Sequence, residues 1–217
     1  MNTPAAELDA LATAIKQCRR CPLGQLRTQA VPGEGPADAE ILFIGEAPGY
    51  HEDRQGRPFV GPSGQLLTSL LQSIGLTREQ VFIANVIKCR PPANRDPLPE
   101  EIAACRPYLE RQIECIDPHL IITLGRFSMA HFFPPTARIT RIHGQPLRLE
   151  RPAGSRRPAP PFRYVLPLYH PAAALRNPDW LQDLERDFAR IPSLLAEMHR
   201  LAAKTASSDD FEQLAFF

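Results

Sequence analysis

Apolar residues along the chain follow two periods, and the switches between them mark out strands and helices. In residues 5–17, Leu8, Leu11, Ala12 and Ile15 recur at the spacing of an amphipathic helix that leads into Cys18. "AEILFIG", "VFIANVI" and "PHLIITLG" are short, unbroken apolar runs, the pattern of buried strands. Between them, "SGQLLTSLLQSIG" predicts a helix from a serine N-cap, Ser63, to the C-terminal Gly75. "LPEEIAACRPYLERQIECI" predicts another, with Pro99 and two glutamates in its first turn, where the helix dipole favours them. Further on, "FSMAHFF" predicts a short helix, and "QPLRLE" and "FRYVLPLYH" predict strands. Residues 179–203 predict a long helix with Trp180, Leu184, Phe188, Ile191 and Leu195 on one face, bent near Pro192. Strands that alternate with helices predict an α/β sandwich around a mostly parallel sheet.

In such sheets ligands bind beyond the carboxyl ends of the strands. That rule gathers residues scattered along the chain. "FIGEAPGYHEDRQGRPFVGPSG" places Glu46 and Glu52 on a glycine- and proline-rich loop behind the first strand, with His51 facing solvent. Asn85 ends the second strand and His170 follows the last, so four polar groups converge on one edge.

Composition narrows the class. A chain of 217 residues, 43% hydrophobic, buries one good core, expected in residues 1–203 with residues 204–217 as a flexible tail. Proline, at 24 residues, is about twice its usual share, so many connections are stiff. No apolar run reaches the ~18 residues of a membrane span, and acids stand where a signal peptide needs a basic flank. A cytoplasmic, monomeric protein is the expectation. Net charge is only +1, but eight arginines between Arg138 and Arg176 face one acid, Glu150. The stretch is readable as a phosphate-binding face or as a solvated loop.

The cysteines fall as Cys18-x2-Cys21 and Cys89-x15-Cys105, with Cys115 over as a buried thiol. In a reducing compartment such a set reads as a metal site. Zinc and a [4Fe–4S] cluster both take four cysteines, and spacing alone does not separate them. Arg19, Arg20, Lys88, Arg90 and Arg106 flank the thiols, as suits an anionic cluster.

"GEAPGYHED" with "GRPFVGPSG", "IANVIKCRPPANRDP" and "HPAAALRNP", together with the four cysteines, resembles the family 4 uracil-DNA glycosylases, the iron–sulfur enzymes of bacteria and archaea. The resemblance runs from about Cys18 to Arg190. It implies a three-layer α/β/α sandwich around a mostly parallel four-stranded sheet, a [4Fe–4S] cluster on Cys18, Cys21, Cys89 and Cys105, and excision of uracil flipped from single- or double-stranded DNA. It places Glu46, Ala47, Glu52, Phe59, Asn85 and His170 around uracil. Glu46 and His170 are then catalytic, the first beside the sugar and the second donating to uracil O2. Phe59 stacks on the base, Asn85 reads its edge, and Glu52 stands near C5. Leu175 becomes the wedge in the duplex, with Arg176, Arg141 and His143 on DNA.

Two other readings stand beside this one. A related iron–sulfur glycosylase stays covalently bonded to its abasic product through a histidine in the loop that corresponds to Arg138–Gly144. His143 keeps that reading open, although that group carries glutamine where Ala47 stands and has a longer loop. The other is a non-enzymatic iron–sulfur module that binds nucleic acid. Finally, "QLAFF" at the chain's end is similar to the motif by which bacterial repair proteins dock on the sliding clamp, through Gln213, Leu214, Phe216 and Phe217.

Overall fold

The apolar runs form a sheet whose middle has no solvent face. The computed structural model of the chain describes residues 3–157 and 159–214, with side chains through Lys204. β1 (Ile41–Gly45), β2 (Phe82–Asn85) and β3 (Leu120–Leu124) are buried at every position. They are followed by β4 (Leu147–Glu150) and β5 (Phe162–Leu168). The order across the sheet is β2-β1-β3-β5-β4. The first four strands run parallel and β4 runs antiparallel to β5. The sheet therefore has five strands, not four. Half-exposed β4 alternates Leu147 and Leu149 with Arg148 and Glu150, the pattern of an edge strand.

Alternation along β1 sorts the core into two halves. Ile41 and Phe43 pack with Leu67, Leu71, Leu184, Phe188 and Ile191, whereas Leu42 and Ile44 pack with Ile15, Leu109 and Ile116. The helices on the second side are α1 (Pro4–Gln17) and, past the short α2 (Leu23–Leu26) and α3 (Tyr50–Gln55), α5 (Pro99–Ile116). The first side carries α4 (Pro62–Ser73) and, after the one-turn α6 (Arg126–Met129), α7 (Ile139–Ile142) and α8 (Pro171–Ala174), the helices α9 (Pro178–Ala189) and α10 (Ile191–Leu214). The result is a three-layer sandwich.

Several boundaries differ from expectation. α4 is capped by Gly61 and starts at Pro62, whose fixed φ suits a first helical turn, so Ser63 lies inside the helix. The long C-terminal helix is two, broken at Arg190 rather than bent at Pro192, which sits in the first turn of α10 where a missing N–H costs nothing. α10 continues past Ala203 to Leu214. The clamp-motif side chains of Gln213, Leu214, Phe216 and Phe217 lie outside those described.

The arginine-rich stretch also resolves differently. Asp117, 1% exposed and left-handed at φ 48°, follows α5 and precedes β3 at the end of the sheet away from Asn85. Its Oδ1 accepts from Arg151 and from Arg163 at 2.9 Å, and its Oδ2 from the Arg157 backbone at 2.6 Å. Arg156 and Arg157 also donate to the Ile116 carbonyl, at 2.6 and 3.0 Å, where the C-terminus of α5 attracts cations. Four of the eight arginines are therefore internal ties, not a phosphate face.

Candidate active site

Gly45 closes β1 and leaves room that nothing else would. A Cβ there would stand 2.5 Å from the Phe59 ring and against Asn85 Oδ1. The chain then turns through Glu46 and Ala47 into α3, whose N-terminus is organised by Glu52. One oxygen of that carboxylate accepts from Gly49 N–H at 3.1 Å, and the other from the amides of Val60 and Gly61 at 2.9 Å each. These bonds fold the second half of the loop back over the first and hold Phe59 in a left-handed turn at φ 51°. Glu52 is thus a loop clamp as well as a wall residue.

Around these elements lies a cavity of about 600 Å³. Glu46, Ala47, Glu52, Phe59, Asn85 and His170 all line it, and Leu175 and Arg176 stand on its walls. Leu175 is 51% exposed, a large apolar side chain with no cover. His51 is exposed, as expected, yet it also lines the cavity. Asn94 and Arg95 line it too and were not anticipated. They follow the left-handed Ala93, and Arg95 is fixed at 2.6 Å to Glu101, whose carboxylate also caps α5 at Leu98 N–H. The turn-forming "PPAN" was the signal available for that wall.

Three groups carry chemical meaning. Asn85 is 2% exposed, and its Oδ1 has no hydrogen-bond partner, which is costly unless a ligand completes it. His170 Nδ1 accepts from Ala172 N–H at 3.1 Å, so the ring proton sits on Nε2. Burial pushes the His170 pKa down to about 4, although Glu52 pulls the other way, so the ring is a neutral donor at physiological pH. Its centroid lies 5.8 Å from that of Phe59. Glu46 is held above the usual carboxylate range, first by burial and then by Asp96, with Arg126 opposing.

The DNA-facing expectations divide. Arg141 is exposed on α7. His143 points elsewhere: its Nδ1 is 2.8 Å from Asp187, its Nε2 faces Asp183 at 3.9 Å, and its ring packs 4.6 Å from Tyr169. It does not line the cavity.

Cys18, Cys21, Cys89 and Cys105 converge on one hollow with Ile15, Gly24 and Tyr108, and none is oxidised. Donors point at the sulfurs: Arg27 at Cys89 from 2.9 Å, Lys88 N–H at Cys105 from 3.3 Å, and Arg20 N–H at Cys18 from 3.5 Å. Burial raises the Cys89 thiol, with Arg27 opposing, and pushes Cys105 up to about 11, with Lys88 opposing. The set fits a metal centre. A second group, Glu40, His119 and His199, also clusters. There His119 Nδ1 receives Arg151 at 3.1 Å, whereas a metal-bound imidazole donates from its outer nitrogen, so it does not suit a metal.

Comparison with known proteins decides the family. The sequence model described as the Uracil DNA glycosylase superfamily matches residues 32–191. A type-4 uracil-DNA glycosylase of Sulfurisphaera tokodaii is 48% identical over 198 residues, covering 86% of this chain and 84% of its own. One from Archaeoglobus fulgidus is 46% identical, covering 86% and 92%. The chain belongs to the type-4 uracil-DNA glycosylases. A type-5 uracil-DNA glycosylase of Thermus thermophilus is more distant, 30% identical over 75% of this chain and 85% of its own. As a type-4 family member the chain is a hydrolase of N-glycosyl bonds. The superfamily match begins after Cys18 and Cys21 and includes Cys89 and Cys105. Among the described residues no helix is long and apolar enough to cross a membrane.

Proposed function

We propose that this chain flips uracil out of DNA and hydrolyses its N-glycosidic bond, leaving an abasic site. The orphaned Asn85 Oδ1 on the floor of the cavity carries the reading, because it accepts from uracil N3–H while the amide nitrogen donates to O4. Cytosine presents the inverse pattern and leaves both groups mispaired, at about 1–3 kcal/mol for each buried group. A flipped base enters against Phe59, which stacks on it, and Leu175 fills the vacated place in the helix.

Bond cleavage puts positive charge on the sugar and negative charge on the departing base. In its ionised form the Glu46 carboxylate stabilises the sugar and orients water, and His170 Nε2–H donates to O2 as an oxyanion-type donor without surrendering its proton. Ala47 forms the wall beside Glu46. Glu52 keeps the loop shut and closes the side near C5, and Arg176 and exposed Arg141 meet phosphates. With His143 bound to Asp187, away from the cavity, hydrolysis with product release is favoured over covalent trapping.

Cys18, Cys21, Cys89 and Cys105 hold a [4Fe–4S] cluster in this reading. The Arg27, Lys88 and Arg20 donors and the family membership support it over zinc. When bound, the cluster pins the segment 18–27 to the loop after β2. The protein acts as a cytoplasmic monomer on single- or double-stranded DNA, and its last residues dock on the sliding clamp, which deletion of Asp210–Phe217 tests by clamp binding.

The deciding experiment is release of uracil from a single-stranded oligonucleotide, followed by denaturing electrophoresis. Free uracil with no retained adduct is expected. An adduct overturns release, and no uracil at all overturns the enzyme.

A further inference from the structure

Lys88 is 1% exposed, and the catalytic account gives its side chain no role. Its ammonium donates to the Asn85 carbonyl at 2.8 Å and to Gln112 Oε1 at 2.6 Å. Gln112, itself 2% exposed, is fixed in turn by its donation to the Pro32 carbonyl at 2.7 Å. Among the described residues no carboxylate pairs with this ammonium. A fully buried cation with only neutral partners is costly, and several kcal/mol is the usual scale. The cysteine hollow adjoins it: Lys88 lines that hollow, its backbone N–H points at Cys105, and it immediately precedes Cys89. Four thiolates leave a cysteine-bound cluster net negative.

We propose that Lys88 is a positioning residue that joins the cluster to base recognition: its ammonium answers the cluster's negative charge and holds the Asn85 backbone, and thereby the Asn85 amide, in register with uracil. The inference rests on the iron–sulfur glycosylase reading above. It makes the cysteine centre an electrostatic part of the uracil site as well as a staple. The geometry is economical, since one side chain spans from the strand end that carries Asn85 to the loop that carries Cys89, and α5 contributes both Cys105 and Gln112 to its surroundings.

The test compares wild type, Lys88→Met and Gln112→Glu as cluster-loaded proteins, using a spectroelectrochemical titration of the cluster and uracil release from an oligonucleotide. Lys88→Met removes the charge and keeps the length. Gln112→Glu keeps the shape and sets a carboxylate beside the ammonium, though Pro32 loses its donor. Both are expected to move the cluster midpoint to more negative potential, because the reduced, more negative cluster loses a compensating cation. Uracil release is expected to fall about tenfold in kcat/KM in Lys88→Met, which loses the bond to the Asn85 carbonyl, the usual scale for an outer-shell partner. A midpoint unmoved in both variants, or release by loaded Lys88→Met within about twofold of wild type, overturns the proposal. If Lys88→Met does not load, Gln112→Glu decides, and failure of both to load assigns Lys88 to folding alone and also overturns it. Wild type that lacks iron or releases no uracil defeats the underlying reading. Wild type that passes both, with unmoved variants, defeats only this one.

Discussion

Burial sets the charge of His170 and one backbone amide sets its tautomer. Burial pushes the pKa to about 4, so the ring is neutral near pH 7, and Ala172 N–H at Nδ1 leaves the proton on Nε2. Removing it in His170→Ala is expected to lower uracil excision by roughly two powers of ten, the usual cost of a lost oxyanion-type donor, and Asn85→Ala by a similar factor. Single-turnover release assays on cluster-loaded protein check both. On the proposed roles, Glu46 supplies the pH dependence. Its folded pKa is raised, and the ionised form is the useful one, so kcat/KM should climb with pH through one ionisation above the usual carboxylate range and then stay level. No second limb from His170 is expected near neutrality. Glu46→Gln should lose the acid limb along with most of the rate, and retention of the limb would assign it to another group. Glu46, Asn85 and His170 were legible because each stands at the carboxyl end of a strand, where the fold dictates a site. The partner of His143 was not, because Asp187 lies 44 positions away on α9 and nothing local announces it.

Short helices and a single carboxylate shape one wall of the cavity. The clamp of Glu52 on three amides ties the start of α3 to the start of α4, so Glu52→Ala should destabilise the protein by about 2 kcal/mol, the scale of hydrogen bonds to a charged group, as read by urea denaturation. It should also reduce excision, because Phe59 loses its fixed turn. Gly45→Ala tests the same wall from the strand side. The added methyl would press on the Phe59 ring and the Asn85 amide, so uracil binding should weaken while far-ultraviolet circular dichroism stays unchanged. The buried strands were plain in the sequence because parallel strands covered on both faces read as unbroken apolar runs. α3 was hidden inside "GYHEDRQG", where glycines and polar residues read as loop. Only Glu52, three positions beyond Gly49, carried the signature of a helix start. The fifth strand was visible as "QPLRLE", but an alternating edge strand does not declare whether it joins the main sheet, and pairing with β5 settles that.

Across the whole molecule, the two ends of the sheet do different work. The site occupies the carboxyl ends, and the Asp117 hub ties the amino ends. Asp117→Ala leaves Arg151 and Arg163 buried without a counter-charge, a change that typically costs 3–5 kcal/mol, so a lower denaturation midpoint is expected with normal kcat in the fraction that remains folded. Acid stability follows from two histidines. His119 and His170 are both held at about 4, against 6.5 for the free side chain, first of all by burial. The unfolded chain then binds protons that the folded chain refuses, so stability is intact above 6.5 and is lost as the pH falls toward 4. Thermal melts across that window should show the decline, and a flat melting temperature would contradict it. The placement of the cysteines has a further consequence, in the order of synthesis. Cys18, Cys21, Cys89 and Cys105 all precede residue 106, whereas β5 and His170 come only after residue 161. In the proposed reading, every cysteine of the cluster site is therefore translated before the histidine that completes the uracil site, so the proposed cluster can be seated on a nascent chain that does not yet carry His170.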